Sequence, residues 1–226
     1  MKEYDSRDSR HVFLAERFGE YLKGSVMNVG GGGQKHLLKY SAPQEYVELD
    51  VSGSPDLMID LDREYPLPVE NERFDTVICT DVLEHLEELH RVFGELVRIS
   101  RRYLILSMPN ALFDVRQYVR RTKYEGNAGV AGRGVGYFSK FYGLPAKKPG
   151  DRHRWFFSYT EAQRFFHANA DTFGYRVVDE QAIGVKSPSV PGSLARFLVK
   201  RIFGEGLMQD LFYSVYWCVL EKRPRG

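Results

Sequence analysis

Residues 25–33 read SVMNVGGGG, a short apolar run that breaks into four consecutive glycines, Gly30 to Gly33. A strand that ends in glycines lets the backbone approach a ligand closely and leaves main-chain N–H groups able to donate. Upstream, Val12, Leu14, Ala15, Phe18, Tyr21 and Leu22 recur at helical spacing, which predicts an amphipathic helix over 8–23. Downstream, the pattern predicts a short helix over Gln34–Tyr40 and a second strand, Tyr46–Leu49, closed by Asp50. A third short run, Leu57–Ile59, is closed by Asp60, and Pro66 and Pro68 then interrupt the chain. Phe74–Cys79 reads as a fourth strand and Tyr103–Met108 as a fifth, ended by Pro109. Between them Leu83, Leu86, Leu89, Phe93, Leu96 and Val97 predict one long amphipathic helix over Val82–Ile99. Strands that alternate with helices in this way predict a parallel sheet covered by helices on both faces.

The second half has a different texture. Residues 121–152 hold seven glycines among many basic residues and read as a long insertion, the kind that in compact domains serves as a functional lid or stays unstructured. Thr160–Ala170 is helical, with Ala162, Phe165 and Phe166 on its apolar face. Tyr175–Ile183 and Asp210–Leu220 read as two further strands, separated by an amphipathic stretch over Ser193–Phe203.

Composition sets the outer bounds. The 226 residues are 43% hydrophobic and 27% charged, enough for a folded domain with a sizeable core and unlike a disordered chain. Cys79 and Cys218 are too few for a disulfide framework or a four-ligand zinc site, and both sit in apolar runs, as buried thiols in a reducing compartment do. The charged opening MKEYDSRDSRHVF lacks the apolar stretch of a signal peptide, and Leu211–Leu220 is too short to span a bilayer, so a cytoplasmic location is expected. The net charge of +2 does not advertise a nucleic-acid binder, yet it conceals a split. Residues 1–110 carry 13 basic and 20 acidic side chains, whereas residues 111–154 carry 10 basic and 3 acidic.

The glycine run fits neither a dinucleotide-binding G-x-G-x-x-G, which fails at Lys35 or His36, nor a P-loop, in which Lys35 would need different neighbours. This disfavours a nicotinamide oxidoreductase. Asp50 and Asp60 close the second and third strands and should lie at the same sheet edge as the loop. A carboxylate there can accept both hydroxyls of a ribose, and a second, one strand further out, can reach an adenine amino group. The competing reading is that acidic residues at strand ends simply solvate turns.

With VMNVGGGG, YVELD, LMIDL, FDTVICTDVLEHL and YLILSMPN in that order, the chain resembles a class I S-adenosylmethionine (SAM)-dependent methyltransferase of the broad small-molecule group. HRWFFSYTEAQRFF followed by GYRVVDE resembles the late part of the same pattern. The resemblance implies an α/β Rossmann-like three-layer sandwich. Its seven-stranded, mostly parallel sheet has the order 3-2-1-4-5-7-6 with strand seven antiparallel, here supplied by FYSVYWCVLEKR. It implies one domain over 1–226: a cofactor-binding half (1–110), a basic Gly-rich insertion or lid after strand five (111–154), and a C-terminal helix with strands six and seven (155–226).

The implied cofactor is SAM, with S-adenosylhomocysteine as product (EC 2.1.1.-). Gly30, Gly31 and Gly32 match the loop beneath it, Asp50 the ribose acid, Asp60 and Leu61 the adenine edge, and Asp81 the turn near the methionine portion. Asn28 stands at the end of strand one where the family usually has an acid. Gln34 replaces the third loop glycine, and the span between Asp50 and Asp60 is shorter than the family's usual helix. These departures also leave room for a non-catalytic binding or scaffold module on the same fold.

Methyl transfer from a sulfonium is an in-line displacement that needs positioning, and a general base only when the acceptor must lose a proton. The candidates for that base are His85, Asp151 and His153. Asn110, Arg152, Arg154 and Trp155 are candidates for acceptor binding. His85 reads equally as a helix-start side chain bonded to backbone. His11, His36, His90 and His167 show no ligand spacing with one another, so no metal site is expected. The basic insertion suits an acceptor with phosphate or carboxylate, or else is a solvated lid. Leu194, Phe197, Leu198, Ile202 and Phe203 with Arg196, Lys200 and Arg201 form a stripe expected on the sheet or on a partner subunit, a membrane surface being the alternative. The expected acceptor is small or lipid-linked, with an anionic one allowed and no nucleic acid favoured; the oligomeric state is not legible.

Overall fold

The computed structural model describes residues 7–120, 141–143, 147–149, 152–184 and 190–224. Seven strands form one sheet: β1 (Ser25–Val29), β2 (Glu45–Asp50), β3 (Leu57–Met58), β4 (Phe74–Thr80), β5 (Ser100–Pro109), β6 (Tyr175–Gly184) and β7 (Tyr213–Lys222). Their order is β3-β2-β1-β4-β5-β7-β6. The β1–β2, β1–β4, β2–β3 and β4–β5 pairs are parallel, and β7 runs antiparallel to both neighbours. The expected Rossmann-like architecture and strand order are therefore present.

Alternation along the strands divides the core in two. Val26, Ile78, Ile105, Val215, Trp217 and Val219 point to one face, where α1 (Arg7–Phe18) covers them with Phe13, Leu14 and Phe18. Trp217 is fully buried there, with its ring 5.1 Å from Phe13 and 5.7 Å from Phe18. Met27, Val29, Val77, Cys79, Leu104, Leu106, Tyr216 and Cys218 point to the other face. That face is covered by α2 (Leu89–Ile99), through Val92, Phe93 and Leu96, and by α4 (Tyr159–Ala168), through Ala162 and Phe166. Nearly every position of β4 and of the inner part of β5 is buried because helices lie on both sides.

Several elements differ from the sequence expectation, each for a local reason. Gln34–Tyr40 forms only a 3₁₀ turn, His36–Lys39, because Lys35 takes a left-handed conformation (φ 49°) at its start. The long helix expected over Val82–Ile99 is a 3₁₀ turn, Leu83–His85, an extended residue, Leu86 (ψ 138°), and then α2. Apolar spacing continues through that break since both pieces lie on the same core, so periodicity alone hides it. The segment assigned to a lid from residue 111 starts with α3 (Ala111–Arg120), whose first turn is capped by Asn110. The body of the insertion, 121–140, falls outside the described residues.

The last strand starts later than Asp210, because α7 (Glu205–Phe212) occupies its expected beginning. A short α5 (Ala170–Phe173) follows α4 and ends at Gly174. The stripe on α6 (Val190–Phe203) does not pack on the sheet: Phe197, Ile202 and Phe203 are 63–66% exposed, and Leu194 and Leu198 are exposed as well. Among the described residues no helix is long and apolar enough to cross a membrane.

The two-layer assignment predicts a contrast between two truncations. Trp217→Ala should lower the unfolding free energy in urea by about 3–5 kcal/mol. Phe203→Ala, on the exposed stripe, should change it by no more than about 0.5 kcal/mol. Equal losses at the two sites would contradict this core.

Candidate functional site

The strand order reverses at β1, whose neighbours β2 and β4 lead away in opposite directions along the sheet. The crevice outside the carboxyl ends of β1 and β4 is where open α/β sheets bind ligands. The chain places its glycine loop, Asp50 and Asp81 there. Gly30 turns out of β1 with φ +78°, and a Cβ at Gly30 would lie 2.2 Å from Val82 Cγ2. A Cβ on Gly31 would meet both Glu48 and Asn28 at 2.7–2.8 Å. The loop thus crosses the strand ends at a height only glycine allows.

What holds it there is largely polar and buried. Asn28, at the end of β1, donates through Nδ2 to the Tyr46 hydroxyl at 2.9 Å. Tyr46 donates in turn to Glu48 Oε1 at 2.8 Å, and Glu48 Oε2 accepts the Lys35 N–H at 3.1 Å on the far side of the loop. Burial, followed by its bond to Glu48, pushes the Tyr46 phenol far above its usual range, so it remains a donor. Glu48 is fully buried and faces Asn28 in the β1–β2 register. The chain therefore keeps an acid beneath its glycine loop, one strand over from the position where Asn28 stands. Glu48 was not among the expected site residues, although its place two residues before Asp50 in YVELD is a usable signal.

Asp50 joins the loop to the second strand. Its Oδ2 accepts the Gly32 N–H at 2.8 Å, and its Oδ1 accepts the Ser52 N–H at 2.9 Å. The Ser52 hydroxyl also donates to Oδ1, at 3.2 Å, so Oδ2, with one bond, is the oxygen that retains acceptor capacity. Asp60 follows β3 and turns on its own chain, accepting the Asp62 N–H at 3.1 Å and lying 3.3 Å from Arg63 Nε. Leu61 is buried, and Asp62 accepts the Glu88 N–H at 3.0 Å, which ties this turn to the start of α2. Asp81 has a left-handed backbone (φ 52°) immediately after β4. Its carboxylate is held by Arg10 of α1 at 2.8 Å and by the Ser107 hydroxyl at 2.6 Å. Sparsely populated backbone at such a position persists only when the surroundings fix it, and here two side chains do so. Arg10 and Ser107 were not predicted, since the contacts span 71 and 26 positions of sequence.

Beyond Asp81 the fold brings together two residues that the sequence keeps far apart. Residues 152–155 run beside the turn at 83–87. His85 Nδ1 lies 3.0 Å from the Arg152 carbonyl, the Arg154 N–H donates to the Glu84 carbonyl at 2.7 Å, and Trp155 Nε1 donates to the Leu86 carbonyl at 2.7 Å. This seats His153 against His85, ring centroids 4.7 Å apart, with Phe141 packed 4.3 Å from His153. His153 Nδ1 lies 2.7 Å from the Tyr142 hydroxyl. Beside the two imidazoles lies Glu84, 1% exposed, with Oε1 3.7 Å from His85 Nε2 and 4.0 Å from His153 Nε2. Burial, and after it the charge of Asp81, pushes the Glu84 carboxyl well above the usual carboxylate range.

The remaining expected residues divide. Arg154 pairs with Glu87 at 3.0 Å on the surface, and Trp155 is partly exposed beside it. Asp151 lies outside the described residues. Asn110 corrects the expectation of acceptor binding: it is fully buried, its amide donates to the Asp210 and Tyr213 carbonyls at 2.7 Å, and its oxygen caps α3. Its bonding groups are already used by the backbone.

Residues 29–105 match the family model described as a methyltransferase domain. No curated protein sequence matches the chain. Among solved structures, a SAM-dependent methyltransferase from Archaeoglobus fulgidus is 17% identical, with a TM-score of 0.53 and coverage of 96% of this chain and 95% of that one. A candidate methyltransferase in complex with the Haloferax volcanii Trm112 methyltransferase activator is 14% identical, with a TM-score of 0.55 and coverage of 98% and 95%. The [4+2]-cyclase SpnF, 13% identical, has a TM-score of 0.55 and coverage of 97% and 81%. At these identities the likeness is one of fold.

The loop geometry makes a direct prediction. Gly30→Ala should cost about 1 kcal/mol or more in urea unfolding, because φ is positive and the new Cβ meets Val82. Gly19→Ala, where a Cβ meets nothing within 4 Å, should be near neutral and serves as the control.

Proposed function

We propose, from the match of residues 29–105 to a methyltransferase-domain model and the likeness of fold to SAM-dependent methyltransferases, that the chain moves a methyl group from SAM to a small or lipid-linked acceptor, an anionic one being allowed. The observation that carries the cofactor reading is Asp50. Its carboxylate is pinned by Gly32 and Ser52 at the switch point; Oδ2 keeps an acceptor site for one ribose hydroxyl, and a second hydroxyl would take the place of the Ser52 hydroxyl on Oδ1. The donor set fits the cofactor elsewhere too. Asp60 and Leu61 stand one strand further out for the adenine, and Arg10, held over Asp81, supplies a cation at the methionine end. When bound, SAM supplies an electrophilic methyl on a sulfonium. The chain supplies position: the glycine loop and its buried Glu48 network hold one end of the crevice, and the Asp81 turn holds the other.

The acceptor would enter beside Asp81, where His85 and His153 face one another and Arg152, Arg154 and Trp155 line the approach. These two histidines are the candidates for removing a proton from a hydroxyl or amine acceptor. The exposed stripe of α6 favours an acceptor presented at a lipid surface. Phe197, Ile202 and Phe203 stand exposed among Arg196, Lys200 and Arg201, and α6 leads through α7 onto α3, which starts where β5 ends. A cytoplasmic location is part of the same reading.

Calorimetric titration with S-adenosylhomocysteine tests the cofactor assignment. Asp50→Ala should weaken binding at least about tenfold, the loss expected for a charge-assisted hydrogen bond. Unchanged affinity would refute the ribose role. Binding that is accompanied by no transfer to any acceptor class would instead favour a scaffold module. For the stripe, Phe197→Ser with Ile202→Ser should abolish co-sedimentation with anionic vesicles while leaving homocysteine-analogue binding intact. Wild-type protein that ignores such vesicles would remove the lipid-surface reading.

A further inference from the structure

We propose that Glu84, His85 and His153 form a binding site for one divalent transition-metal ion of borderline softness, such as Zn(II), Fe(II) or Co(II), at the acceptor end of the crevice. The ligand atoms of the three side chains all lie within 4.8 Å of one another. The two imidazole nitrogens that face the carboxylate are both Nε2, at 3.7 and 4.0 Å from the same oxygen of Glu84. Tetrahedral ligands about 2.1 Å from a metal are about 3.4–3.5 Å apart, so around an ion the two carboxylate–imidazole separations close by a few tenths of an ångström and the widest separation in the set by up to about 1.3 Å. Two imidazoles and one carboxylate suit a borderline divalent cation and leave coordination positions for water or an acceptor oxygen.

Two independent features point to a cation and not to a mere polar contact. Both carboxylate oxygens of Glu84 are buried without a hydrogen-bond partner, although the side chain is 1% exposed. A buried acid left in that condition is costly, and neither histidine approaches within hydrogen-bonding distance to relieve it. The second feature is the outer shell. His85 Nδ1 is bonded to the Arg152 carbonyl at 3.0 Å, which makes it the N–H donor and directs the Nε2 lone pair toward Glu84. His153 Nδ1 is bonded to the Tyr142 hydroxyl at 2.7 Å, again leaving Nε2 as the atom turned to the carboxylate. Orienting partners at the distal nitrogen of each imidazole are the usual companions of metal-bound histidine.

None of its three ligand side chains is assigned to the cofactor, so metal binding can be read without any methyl transfer. Where the methyltransferase reading also holds, it deepens it: the ion would bind an anionic acceptor oxygen directly and lower the pKa of a hydroxyl bound there, as a metal does for water. It also recasts the two histidines as ligands: the metal-bound hydroxyl would lose its proton to solvent water, and the resulting oxygen would attack the methyl group.

Protein stripped with a chelator and titrated with Co(II) should show visible absorption bands that saturate at one equivalent. Glu84→Gln and His153→Ala, each checked for folding by circular dichroism and S-adenosylhomocysteine binding, should each lower the affinity at least about 100-fold. Loss of an orienting partner alone costs about 10–100-fold, and Tyr142→Phe should fall in that range. For the wild-type chain, nitrogen-detected NMR should show Nε2 shifts on Zn(II) addition at His85 and His153 and at no other histidine. This measurement decides the matter even where a variant does not fold. No stoichiometric binding, binding that survives both ligand substitutions, or shifts at other histidines would overturn the site. Failure of S-adenosylhomocysteine binding would overturn the methyltransferase reading and leave the metal result standing.

Discussion

The reversal of strand order at β1 is the constraint on which the rest of the molecule depends. Because β2 lies on one side of β1 and β4 on the other, the connections leave the carboxyl ends of these strands in opposite directions. Such a crevice is useful only if the loop crossing it is held still, and this chain does so with a buried acid. Glu48 bonds the loop at Lys35 and, through Tyr46, reaches Asn28 on the next strand. A buried carboxyl group in that position is tolerable because both of its oxygens accept a hydrogen bond, one from the Tyr46 hydroxyl and one from the Lys35 N–H. Asp50 then adds a bond to Gly32, so the glycines that permit close approach are not thereby free to wander.

At the other side of the reversal the physics is inverted. Glu84 is as buried as Glu48, yet its oxygens have no donors, and two imidazoles stand just outside hydrogen-bonding distance. Two carboxylates at the same sheet edge thus have opposite degrees of satisfaction. The satisfied one organises structure, and the unsatisfied one is where chemistry is to be sought. The segment 152–155 matters for the same reason. Its three hydrogen bonds to the turn at 83–87 serve no core packing, yet they decide where His153 sits.

The charge split along the chain acquires a location as well. Acidic residues of the first half sit at strand ends around the crevice, where Asp50, Asp60 and Asp81 are each engaged by nearby backbone or basic groups. The exposed apolar residues of α6 lie among basic side chains, outside the sheet layers that bury the other apolar stripes. A helix that repeats an apolar pattern is expected to bury it. That α6 does not is a property of its place at the rim of the fold, beyond the reach of either sheet face.

Much of the fold was legible in local pattern. Alternation in VMNV, TVIC and YLIL marked central strands, the glycine run marked the turn out of β1, and Asp50 and Asp81 fell at strand ends as their positions in YVELD and ICTD implied. What local pattern misjudged were places where one apolar face spans two kinds of backbone: the break between His85 and Leu89, and the helix that runs into β7 at Phe212. Periodicity reports which side chains face the core and is indifferent to a short change of backbone between them.

By itself, then, the sequence determined the strands, the loop and the acids at the crevice, since each of these is set by neighbours within a few residues. Only the tertiary structure decided that Glu48 replaces the acid missing at Asn28, that Arg10 and Ser107 hold Asp81, and that His153 meets Glu84 and His85. Those contacts join residues on different strands or far along the chain, and which of them form depends on how the sheet is ordered and not on any local preference of the residues themselves.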